Sequence, residues 1–170
     1  MFKVGDYVSY GNSGVCQIVD MIWMNSGAAD NTKKHYYVLQ PVYNASGKIY
    51  TPIDNDRVIM RSLISYDMAE ELLADATDIM PIPEAPPREM DAEYKKRIRS
   101  CDCRQWMSII KTVNIKKGIR AKNGKKLTSS DERYLKEVSG KLYEELSFVM
   151  NKNIEQVKEI VEASLSAEAQ

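Results

Sequence analysis

The chain has 170 residues, 44% apolar and 28% charged, with 24 basic and 24 acidic side chains. That composition describes a globular chain of one ordinary or two small domains. No apolar run approaches the roughly 20 residues a membrane helix needs, and the opening MFKVGDYV has no leader-like apolar core, so a cytoplasmic protein is expected.

Residues 1–65 read as β-structure. Tyr7, Val8 and Tyr10 favour a first strand, and Gly11-Asn12-Ser13-Gly14 is a turn cluster. VCQIVDMIWM (15–24) is a second, nearly continuous apolar strand. A loop over 25–32 leads to HYYVLQPVY (35–43), and a turn over 44–47 to KIYTPI (48–53). DNDRVIMRSLIS ends the unit with a short strand or 3₁₀ piece. Five short strands with turns every 8 to 12 residues predict a small barrel.

From Tyr66 the period changes. MAEELLADA predicts a short helix after Ser65 or Asp67, and MPIPEAPPREM (80–90), with four prolines, predicts an extended linker. Helices follow over 91–99 and 102–118, the second carrying Trp106, Ile109, Ile110 and Val113 on one face, with Gly118 as its stop. A basic loop spans 118–126. Thr128 or Ser129 opens the next helix in a capping-box pattern, with a stripe of Leu135, Val138, Leu142, Leu146 and Val149. The last helix starts at Asn153 with Ile154, Val157, Val161 and Leu165 inward, and SAEAQ frays. The fold class is therefore α+β: a small β-barrel (1–65), a short helix and Pro-rich linker (66–90), and an all-α bundle (91–170).

Charge is unevenly placed. Residues 67–93 hold nine acidic residues and one basic, whereas residues 94–126 hold twelve basic residues and one acidic, Asp102. Clustered Lys and Arg release counterions from phosphate backbones, so the second block is a candidate polyanion footprint; a solvated helical face is the other reading.

Catalytic signals are absent. The single histidine, His35, sits at a strand start, and Asp54 and Asp56 lie in IDNDR, where such residues serve turns. No phosphate-cradling glycine loop precedes a helix. Cys101 and Cys103 are too close in sequence for an easy bridge and fit reduced thiols, and with one histidine in the chain no metal site is expected. A binding module without cofactor or small-molecule substrate is the class left.

FKVGDYVSYGNSGVCQIVDM resembles the opening of CarD-type transcription regulators, with Phe2, Gly5, Asp6, Val8, Tyr10, Gly14 and Ile18 filling the pattern. YYVLQPVYNASGKIYTPIDN, Arg61 in IMRSLIS, RSCDCRQWMSIIKTVNIKKG and the long helix after GKKLTSSDERY extend the likeness to about residue 150. The N-terminal domain is shared with transcription-repair coupling factors. The resemblance implies a Tudor-like barrel that docks on the RNA polymerase β subunit, and a helical domain that contacts promoter DNA at the upstream bubble edge. Modulation of open-complex lifetime follows. On this chain it points to Trp23, Met24, Lys48 and Tyr50 for polymerase binding, and to Arg88, Lys95, Lys96, Arg97 and Arg99 for phosphate contact without base readout. The family's wedging Trp is missing after the linker. Met90 and Tyr94 are the candidate replacements, with Pro86 and Pro87 behind them. Trp106 belongs to a helix stripe and should be buried. The alternative is an interaction module whose helical domain binds protein rather than DNA.

Overall fold

A computed structural model describes residues 1–27, 29, 31–44 and 47–167. Positions 28 and 30 of the expected 25–32 loop, 45 and 46 of the 44–47 turn and the end of the expected frayed tail lie outside these described residues. The chain divides into two units, Met1–Leu63 and Ile64–Gln170.

In the first unit five antiparallel strands form one sheet. They are β1 (Tyr7–Tyr10), β2 (Gly14–Asn25), β3 (Lys33–Pro41), β4 (Ile49–Pro52) and β5 (Met60–Ser62), in the order β4-β3-β2-β1-β5. Val8, Cys16, Ile18, Tyr37 and Leu39 make the core, with Phe2, Tyr10, Met21 and Ile49 against it. Between Ile18, opposite Leu39, and Asp20, opposite Val38, the register shifts, leaving Val19 as the extra residue of a bulge. The bulge resets alternation, so Ile18 and Met21 both lie on the core face. Gly11 begins a 3₁₀ turn at φ 40°, and a Cβ there would strike the Val58 side chain, so this corner requires glycine. Closure into a barrel is not seen among the described residues: the sheet is open, with β4 and β5, four and three residues long, as edges paired on one side only.

The second unit contains α1 (Tyr66–Ala74), α2 (Pro87–Arg99), α3 (Cys103–Lys122), α4 (Ser129–Met150) and α5 (Ile154–Ser166). Their starts follow local chemistry. Ser65 accepts from the Met68 N–H, Pro87 occupies the first turn of α2, and Asp102 accepts from Arg104 and Gln105 N–H groups. Thr128 caps α4, and Asn153 with Gln156 forms a capping box on α5. Gly118 does not stop α3, which runs on to Lys122; the stop is Asn123-Gly124, where Gly124 takes φ 69°. A mid-helix glycine costs only about 1 kcal/mol, whereas a left-handed position after the last turn favours glycine.

The helical core gathers Trp106, Met107, Ile109, Ile110 and Val113 from α3, Val138, Leu142 and Leu146 from α4, and Val157 and Val161 from α5. Trp106 is buried, as its stripe required, and its indole N–H donates to the Ile98 carbonyl at 3.3 Å. The segment read as a helix and linker contributes to the same core through Ala69, Leu72, Ala76, Ile79 and Ile82. Its proline-rich part is extended only as far as Pro86, because Pro87–Met90 open α2, and it is fastened: the Ile82 N–H donates to Thr112 Oγ1 at 2.8 Å, and just before it Lys111 Nζ donates to the carbonyls of Ala76 and Thr77. Prolines remove donors without preventing an apolar side chain between them from packing, so these residues form a strap on the bundle.

Candidate functional site

On the sheet, the four residues singled out for polymerase binding are all exposed, but they do not form one patch. Trp23 is 66% exposed, Met24 38% and Tyr50 50%; Lys48 is exposed just before β4. Successive strand residues point to opposite faces. Trp23 pairs with His35 on the face that also bears Met21, Tyr37 and Leu39, and their rings stack at 4.5 Å with planes 2° apart. Met24 pairs with Lys34 on the other face. Tyr36, Val38 and, opposite Val38, Tyr50 share that face. Met24 and Tyr50 therefore share a face, on different strands and four β3 positions apart, while Trp23 points to the other face. The role of His35 as the partner of Trp23 escaped the sequence; counting outward from Asn25 and Lys33, which face each other at the hairpin end, finds it. The outer edge of β4 has no strand partner among the described residues, so its N–H and C=O groups can extend the sheet with an incoming strand.

In the helical unit, α2 buries Met90, Tyr94 and Ile98. At 3.6 residues per turn, Arg88, Lys95, Lys96 and Arg99 fall within an arc of about 100° on the opposite side, and all four are exposed. Arg97 is separate. It turns inward, its Nε 2.7 Å from Glu93 and its Nη1 donating to Ser108 Oγ at 2.8 Å, so it braces α2 against α3. Lys95 carries an ion pair to Asp91 at 2.7 Å. That ammonium, and then the Tyr134 hydroxyl, hold the Asp91 carboxyl below the usual carboxylate range, while Asp91 raises Lys95.

The wedge candidates do not reach the surface. Met90 is 5% exposed and Tyr94 2%, and the Tyr94 hydroxyl donates to Asp131 at 3.3 Å and accepts from Lys116 at 3.1 Å. Burial raises the Tyr94 phenol above its ordinary range, and it counts as a core residue. A base step could meet either side chain only if α2 left its core. The positive block instead presents Lys117, Lys122, Lys125 and Lys126, all exposed around the α3–α4 turn and in no ion pair among the described residues. These charges are legible in the sequence; their separation from carboxylates is set by how α3 and α4 pack. No group of three or more His, Cys, Asp or Glu side chains among the described residues could hold a metal ion, and no described helix is long and apolar enough to cross a membrane.

The sheet, with exposed aromatics and an open edge among the described residues, and the helical unit, with a cluster of exposed cations on α2, each offer surface suited to macromolecular partners. Residues 2–64 match the model of the CarD-like/TRCF RID domain, so the sheet unit is a CarD-like RNA polymerase-interacting domain, a protein-interaction module and not a catalytic one. The match ends where the helical unit begins. No curated protein matches the chain.

Proposed function

We propose that this protein is a non-enzymatic, cytoplasmic transcription regulator. Its Tudor-like sheet unit binds the RNA polymerase β subunit, and its helical unit lies on promoter DNA near the upstream edge of the bubble, changing the lifetime of the open complex. The observation that carries this reading is the polymerase-interacting domain at residues 2–64 joined in one chain to a helix whose outward side holds Arg88, Lys95, Lys96 and Arg99. Met24, Lys48 and Tyr50 with the β4 edge form the polymerase-facing side. Trp23, on the opposite face, contributes only if the β lobe wraps the hairpin end. Arg97, held by Glu93 and Ser108, supports the DNA-facing helix without touching phosphate.

Binding to forked duplex DNA measured against salt tests the DNA half. Each phosphate contact contributes a slope of about −0.9 in log K against log salt. Removing all four outward cations should lower the slope by about 3 to 4, while Arg97→Ala should leave it unchanged. An unchanged slope in the fourfold variant removes the DNA role. For the polymerase half, Tyr50→Glu should reduce recovery of the β lobe in a pull-down; full recovery takes Tyr50 out of the interface.

A further inference from the structure

A groove of about 630 Å³ runs along the helical unit on a side that the proposed DNA contact does not use. One wall is a stripe of α3 through Ile110, Asn114, Lys117 and Ala121. The other is a stripe of α4 from Glu132 through Leu135 and Ser139 to Tyr143. At 1.5 Å per residue that α4 stripe is about 17 Å long, or three helical turns. The α3–α4 turn closes one end with Lys125, Lys126 and Leu127, and α5 lines it with Lys158 and Glu162.

Its chemistry has two parts. Leu127 and Leu135 remain half-exposed on the floor, above buried Ile110 and Tyr143. Around them stand five ammonium groups, on Lys117, Lys125, Lys126, Lys136 and Lys158, against two carboxylates, on Glu132 and Glu162. None of the five lysines enters an ion pair among the described residues. An apolar floor inside a rim with three excess positive charges, open along its length, matches an amphipathic helix with leucine-like residues on one side and acids on the other. A nucleic-acid duplex could satisfy the rim but brings no apolar side chain to the floor.

We propose that this groove docks an acidic amphipathic helix of a partner protein, laid along α3 and α4 for about three turns. The site is independent of Arg88, Lys95, Lys96 and Arg99.

The test uses the full chain and a fluorescein-labelled synthetic helix of about 15 residues, leucines on one face and glutamates on the other, in fluorescence anisotropy. Saturable binding is expected. The same peptide with serines for leucines should bind about tenfold or more weakly. The double variant Lys125→Glu, Lys136→Glu, both at exposed positions, should weaken binding about tenfold, with an unchanged circular dichroism spectrum and melting temperature. Leu135→Asp should do the same if it stays folded. Alanine at the four α2 cations should leave peptide binding unchanged, which separates this site from the DNA reading. No saturable binding, equal binding of the serine peptide, or insensitivity to the lysine changes overturns the proposal. So does displacement of the peptide by a roughly 20-base-pair duplex whose own binding falls with Lys136→Glu, because nucleic acid would then be the occupant.

Discussion

The chain has two tryptophans, and the two units treat them in opposite ways. Trp106 is 1% exposed, central to the helical core, with its indole N–H bonded. Trp23 is 66% exposed, with the His35 ring stacked on it. Both lie in largely apolar segments, so local hydrophobicity does not separate them. The difference comes from what each element can cover. α3 packs against α2 and α4 and buries a full stripe, whereas the β2–β3 hairpin extends past the small core that Val8, Ile18, Tyr37 and Leu39 supply. A tryptophan left in water forgoes apolar contact that a core would recover.

The largest effect expected from that contrast is on stability. Trp106→Ala should destabilise the helical unit by about 3–5 kcal/mol, read as a lower denaturation midpoint. Trp23→Ala should change stability by no more than about 0.5 kcal/mol. Equal losses at the two positions would collapse the distinction.

Next comes Lys141. It is 7% exposed on α4, and burial holds its ammonium below the ordinary lysine value of 10.5, although Glu137, Cys101 and Glu144 pull it back up. A lysine depressed in the folded state binds fewer protons there than in the unfolded chain, so stability rises with pH between the two values. Lys141→Met should flatten that alkaline rise, read as denaturation midpoints that no longer climb with pH over the same range. An alkaline rise that persists unchanged in the variant would assign it to another group.

The two kinds of arginine on α2 give a further contrast. Arg97→Ala should weaken the bundle, measured by thermal melting, through loss of its Glu93 and Ser108 bonds, with DNA affinity kept at temperatures where the variant is folded. Arg88→Ala should leave the melting temperature unchanged and lower the salt slope of DNA binding by about 0.9.

The smallest effect is at Asp91. Its carboxyl is held below 3.8 by Lys95 and then Tyr134, so its contribution is present above that value and disappears as pH falls through the folded-state pKa. Asp91→Asn should remove only this part of the acid-unfolding curve. A loss that persists unchanged down to the acid limb would mean that the aspartate acts through packing instead.

Much of this could be read directly along the chain. Strand and helix signals, with Ser65, Asp102, Thr128 and Asn153 as caps, are local, because a capping side chain bonds N–H groups two or three residues ahead. The burial of Trp106 was legible from its spacing to Ile109, Ile110 and Val113. Gly118 misled, since a permissive residue permits a stop without enforcing one. Met90 and Tyr94 misled because a helix of alternating charge and bulk has its inward side chosen by neighbours from α3 and α4.

What the sequence determined by itself was the kind of element at each place, the +11 charge block over residues 94–126 and the polymerase-interacting pattern of the first 64 residues, all carried by contacts a few residues apart or by composition. What only the tertiary structure decided was orientation. It left the sheet open, set Trp23 and Met24 on opposite faces, turned Arg97 in while Arg88, Lys95, Lys96 and Arg99 stayed out, and drew the 64–90 segment onto the bundle. The physical reason is that burial depends on which surfaces meet, and the partners that meet here are separated by tens of residues, as Ile64 is from Glu145 and Ile82 from Thr112.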